Sequence, residues 1–93
     1  MLTQSKLLET VQDAFAVFNT TDVWWLIFDI REVEKCVELS VRTRRQGSDR
    51  IAAGAITFDR FATKEYLAFE VRRFIKEACG LGWALVMVSE VPQ

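Results

Sequence analysis

The sequence predicts an α+β fold of two helices and a four-stranded mixed sheet, with the element order α-β-β-β-α-β. Two stretches carry apolar residues at helical spacing. Between them lie three short segments with strand character, joined by connections brief enough for an antiparallel meander. A last apolar run follows the second helix, and a helical crossover returns such a strand parallel to the first. A sheet order of 4-1-2-3 buries the two doubly apolar strands side by side.

In the first helix Leu7, Leu8, Val11, Ala14, Phe15 and Phe18 form the apolar stripe, opposite Lys6, Glu9, Gln12 and Asp13. The spacing predicts a helix over 3–18. Thr3 supplies the cap, Leu2 and Leu7 stand as a hydrophobic staple, and Asn19-Thr20-Thr21-Asp22 is the stop. The run Val23 to Ile30 is apolar on both alternating faces and rich in aromatic and β-branched residues, which predicts a central strand. From Val33 to Arg44 strict alternation places Val33, Val37, Leu39 and Val41 on one face and Glu34, Glu38, Ser40, Arg42 and Arg44 on the other.

Arg45-Gln46-Gly47-Ser48-Asp49 has the residues of a turn, so Arg50 to Phe58 returns as the third strand. Gly54 and three alanines in that strand leave room for a large neighbour. A second helix is expected from Arg60 or Lys64 to Cys79. Its stripe is Leu67, Val71, Phe74, Ile75 and Ala78, widened by Ala62, Tyr66 and Phe69. Gly80 ends it in a left-handed cap, with Leu81 folding back on Ile75, and Trp83 to Val88 form the last strand.

A chain of 93 residues with no linker, repeat or low-complexity stretch reads as a single domain, residues 1–93. The 51% hydrophobic and 27% charged residues place it among folded chains. No apolar run reaches the roughly 18 residues of a membrane span, and the amino terminus lacks the basic start and apolar block of a secretory signal, so a cytoplasmic protein without membrane contact is expected. Cys36 and Cys79 belong to no CxxC pair, which predicts two separate reduced thiols and no zinc site.

The net charge of −1 hides a dipole. Residues 1–41 carry three basic against seven acidic side chains, and residues 42–76 carry nine basic against four acidic ones. Such segregation steers charged partners.

Histidine is absent, which removes the commonest proton-transfer group near neutral pH and the commonest metal ligand. Asp29, Glu32, Glu34 and Glu38 are the only foothold for acid–base work, and they fall around a solvated hairpin. Gly80-Leu81-Gly82 follows a helix instead of opening one, so it is not a phosphate loop. No catalytic residue, metal or cofactor is assigned. Of Trp24, Trp25 and Trp83, at most one is expected to be exposed.

Two features point to binding. Arg42, Arg44, Arg45 and Arg50 cluster at a hairpin tip around Gly47, where guanidinium groups can take phosphates or carboxylates bidentately. If both helices cover one sheet face, a strip is left over, either Val23, Trp25 and Ile27 or Trp24, Leu26 and Phe28, with one row of the last strand. Either the helices lie on opposite faces or the strip is buried against a partner or a second copy.

In word order, residues 3–79 resemble the double-stranded-RNA-binding domain, which packs two helices on one face of a three-strand meander. Arg60 and Lys64 alone stand for that family's basic motif at the start of the second helix, and its histidine loop has no counterpart. The resemblance implies a nucleic-acid-binding alternative that uses the arginine-rich hairpin. The expectation preferred over it is a non-catalytic protein-binding module of inhibitor or adaptor type, with Arg42, Arg44, Arg45, Arg50 and Trp25 as contact residues and a protein or a second copy as partner. Phage-encoded inhibitors of host machinery, anti-CRISPR proteins among them, share this small size and lack of motifs.

Overall fold

A computed structural model describes residues 1–80 and the backbone of Gly82 and Trp83. Helix α1 spans Gln4–Phe15, and the Thr3 hydroxyl accepts from the Lys6 amide as the expected cap. The helix ends before Phe18, because Phe18–Asn19 is a short strand, β1, paired antiparallel with β5, Gly82–Trp83. The Asn19 side chain accepts from the Thr21 amide at 3.0 Å, turning the chain into β2, Val23–Val33.

β2 is longer than the expected strand and is followed by β3, Cys36–Arg45. The chain reverses over Glu34–Lys35, so Val33 pairs with Cys36 and does not join the row of Val37. Glu34 likewise sits in the turn and shares no strand face with Glu38. β4, Ile51–Asp59, completes an antiparallel sheet in the order β2-β3-β4.

The central strand is therefore the half-polar β3, and the apolar run from Val23 is a flank. Of the expected fourth strand, Gly82 and Trp83 are described, and Trp83 pairs with Phe18 instead of β2. The order 4-1-2-3 is not seen; the remainder of that strand and the Leu81 contact lie outside the described residues.

Helix α2 spans Lys64–Cys79, with Thr63 as its cap. Gly80 adopts the left-handed conformation at φ 62° and donates its amide to the Lys76 carbonyl, as a helix stop of this kind requires. Both helices lie on one face of the sheet, α1 against β2 and α2 against β3 and β4, and they touch each other. Leu7, Val11, Val37, Leu39, Val71 and Ile75 are completely covered between them. Burying each such side chain contributes about 1.5–3 kcal/mol.

Gly54 is the point of closest approach. A Cβ there would stand 3.1 Å from the Ala78 Cβ and 3.2 Å from the Phe74 ring, so the small residues of β4 do make room for a large neighbour. Tyr66 and Phe69, placed on the apolar stripe by periodicity, are exposed on the outer side of α2.

Candidate binding surface on the open sheet face

Antiparallel register puts directly opposed residues on the same face. One face of the sheet, carrying Ile30, Leu39, Val41 and Phe58, is covered by the helices. The other is open, and its rows run across all three strands. Trp25, Arg44 and Ile51 form one row, and Ile27, Arg42 and Ala53 the next. Beyond them Asp29, Ser40 and Ala55, then Arg31, Glu38 and Thr57, make the face progressively polar.

Apart from Val33, 39% exposed in the last row beside Cys36, the apolar side chains are thus concentrated at one end. Ile27 is 53% exposed and Ile51 56%, flanking the Arg42 and Arg44 positions of the central strand. Both tryptophans of β2 belong to this end because the register slips by one between Val23 and Trp25. The extra residue of this bulge is Trp24, which stands out into solvent at 60% exposure. Trp25 is half-buried, so of the two tryptophans with described side chains one is exposed.

The four hairpin arginines do not act as one cluster. Arg44 lies over the Trp24 ring, 4.7 Å from its centre, and its Nε donates to the Ser48 carbonyl at 2.7 Å. A further contact at 3.2 Å joins it to Asp49, so this guanidinium ties Trp24 to the turn. Arg45 points to the opposite side and donates to the Gly80 carbonyl at the carboxyl end of α2. Arg42 and Arg50 are exposed, and their guanidinium groups have no partner among the described residues. Arg42 is the one that faces outward from the middle of the apolar end.

Ion pairs occupy other guanidinium groups, Arg31 on the open face and Arg60 beside the covered one. Arg31 binds Glu38 at 2.8 Å, and that carboxylate holds the guanidinium above its usual pKa. Arg60, one of the two residues on which the RNA-binding resemblance rests, is spent on Glu32 at 2.9 Å and on the Val33 carbonyl at 3.0 Å. No group of three or more acidic or cysteine side chains is placed to hold a metal among the described residues. Cys36 and Cys79 are both free thiols; Cys36 is half-buried at the polar end of the sheet and Cys79 is buried beneath the cap of α2.

Sequence reasoning offered Val23, Trp25 and Ile27 or else Trp24, Leu26 and Phe28 for this strip, without a bulge that would bring Trp24 and Trp25 to the same end, and it did not name Ile51. The adjacent tryptophans at the start of an alternating strand are where a bulge was readable, since alternation alone sends one of them into the core. Ile51 could have been found from its spacing with Ala53, Ala55 and Thr57. No family model, curated protein or solved structure matches the chain. No helix among the described residues is long and apolar enough to cross a membrane.

Proposed function

We propose that the chain is a non-catalytic protein-binding module whose contact surface is the tryptophan and arginine end of the open sheet face. The observation that carries this reading is the exposure of Trp24, Ile27 and Ile51 together, on a face that neither helix reaches. An apolar centre bordered by guanidinium groups is the anatomy of a protein interface, with tryptophan and arginine as the residue types that most often dominate its energy.

Arg42 and Arg50 select a partner that brings carboxylates to the rim of its own apolar patch. Arg44 contributes by holding Trp24 in place, and Arg45 stands on the helix side, so the contact set is Trp24, Trp25, Ile27, Arg42, Arg50 and Ile51. A cytoplasmic inhibitor or adaptor of host machinery, of the kind phages encode, fits a small domain with free thiols and no metal-binding cluster among its described residues.

The test pairs the wild-type chain with Ile27→Asp/Arg42→Glu. A partner captured from extract by the wild type is purified, and binding is measured by calorimetry with both chains. The double variant should remain folded and lose about 2 kcal/mol or more of affinity, roughly 30-fold in Kd. Undiminished binding by the double variant would move the interface elsewhere. Wild-type affinity for nucleic acid that falls steeply with salt would replace the reading by the nucleic-acid alternative.

A further inference from the structure

Away from the open sheet face, the two helices begin at the same corner of the molecule. The Leu2 amide, one residue ahead of the Thr3 cap, donates to the carbonyl of Arg60, three residues ahead of the Thr63 cap. A cleft of about 380 Å³ opens between these two starts, at the small end of the range for small-molecule sites. Its floor is apolar, because Leu2 and Leu67 belong to the core and Ala62 packs against it. At its rim Phe61 stands 82% exposed, on a turn that Asp59 fixes by accepting from the Phe61 and Ala62 amides. An aromatic ring held out into water on an anchored turn is stabilised by any apolar group that covers it.

Four charged side chains line the cleft: Lys6, Glu9, Arg60 and Lys64. Arg60 has both terminal nitrogens engaged, one on Glu32 and the other on the Val33 carbonyl, so no free guanidinium fork is there to grip a phosphate. Lys6 and Lys64 form no ion pair among the described residues, and neither does Glu9. Two ammonium groups thus outnumber one carboxylate over an apolar floor, and the positive ends of both helix dipoles add to the same sign. Glu9 repels a ligand of higher negative charge and leaves a monoanion favoured.

We propose that this cleft binds a small amphipathic carboxylate of the short-chain fatty-acid class. Its alkyl body rests on Leu2, Ala62 and Leu67 beside the Phe61 ring, and its carboxylate takes charge-assisted hydrogen bonds from Lys6 and Lys64. The small volume suits one such molecule better than a length of polypeptide. The cleft lies on the helix side, and its lining shares no residue with the contact surface of the open sheet face, so the two sites are independent.

The test follows amide chemical shifts of the whole chain during titration with sodium octanoate, with octanol and inorganic phosphate as comparison solutes. Octanoate should shift Leu2, Lys6, Phe61 and Lys64 saturably, with a Kd of about 1 mM for a ligand of this size. Lys6→Gln/Lys64→Gln should weaken octanoate about tenfold and leave octanol unchanged, whereas Glu9→Gln should tighten octanoate about twofold. Phe61→Ser should weaken octanoate and octanol alike, by about threefold. These residues are all exposed, so circular dichroism should show every variant folded. Ile27→Asp/Arg42→Glu should bind octanoate as the wild type does, which keeps this site distinct from the open face. A response that never saturates, one centred on Trp24, Ile27 and Ile51, or one that the lysine variant leaves intact overturns the proposal. Inorganic phosphate that binds as well as octanoate overturns it too, because the lysines would then only collect anions.

Discussion

Leu39 and Ser40 are neighbours on β3 and meet opposite surroundings. Leu39 is completely buried under the helices, as are Val37 and, to within 1%, Val41, whereas Ser40 and Arg42 lie on the open face. The pleat alone separates them. One side of this strand is fixed by packing that any change disturbs, and the other can carry whatever chemistry binding needs. Substitutions at adjacent positions therefore test the division directly.

The largest contrast is expected between Leu39→Ala and Ser40→Ala. Removing the buried leucine leaves a cavity and should cost about 2–5 kcal/mol. The serine change should stay within about 0.5 kcal/mol. Urea denaturation, followed by the shift in midpoint at constant slope, measures both. Similar losses at the two sites would mean that the open face is packed against something in solution.

A smaller contrast separates Gly54 from Ala55. On the covered side, Gly54→Val drives methyl groups into Phe74 and Ala78 and should cost about 1–3 kcal/mol. Ala55→Val adds the same kind of side chain to the open side, where β-branching suits a strand, and should be neutral or slightly stabilising. Thermal midpoints of the two single variants sharpen the comparison, because backbone, strand and sequence distance are shared.

How much of this division was legible depended on whether the period of the sequence survives in the structure. The alternation of Val37, Leu39 and Val41 was readable and placed the core face correctly, and Thr3 and Gly80 marked helix ends by chemistry that acts locally. Val33 was assigned to the wrong face because a two-residue turn resets the count, and nothing in Glu34-Lys35 announces such a turn. The apolar run from Val23 read as central, although a strand buried on one face and docked to a partner on the other has the same composition. Among the site residues, the arginines were grouped correctly in sequence and wrongly in space. Arg44 and Arg45 are consecutive on a strand and so point to opposite faces, one to Trp24 and the other to Gly80.

The two thiols extend the contrast to chemistry. Burial pushes the Cys79 thiol up from its ordinary pKa, with Arg45 opposing in part, while Cys36 sits half-buried in the sheet. A folded pKa above the unfolded one means that the unfolded chain gives up its proton first. Stability is then full below the unfolded thiol pKa of about 8.5 and falls as pH rises through the folded value. Comparing wild type with Cys79→Ser between pH 7 and 10 should show a decline in the wild type that the serine variant, whatever its own loss of packing, does not share. Alkylation at neutral pH should reach Cys36 first, and equal rates at the two thiols would show that the cap of α2 opens readily.

The smallest effect on stability is expected at Arg42, and it is the most informative about what the open face is for. Its guanidinium is exposed with no partner among the described residues, between Ile27 and Ala53, so Arg42→Ala removes no ion pair and should change stability by no more than about 0.5 kcal/mol. Arg44→Ala, two residues on, gives up the Trp24 contact and the bonds to Ser48 and Asp49, and should cost about 1 kcal/mol. Partner binding should rank them in the other order, with the larger loss at Arg42, because a group left without an internal partner has its hydrogen-bonding capacity free for a ligand. If Arg44→Ala instead abolishes binding while Arg42→Ala leaves it intact, the partner is reading Trp24 in the position that Arg44 gives it, and the apolar end alone carries the interface.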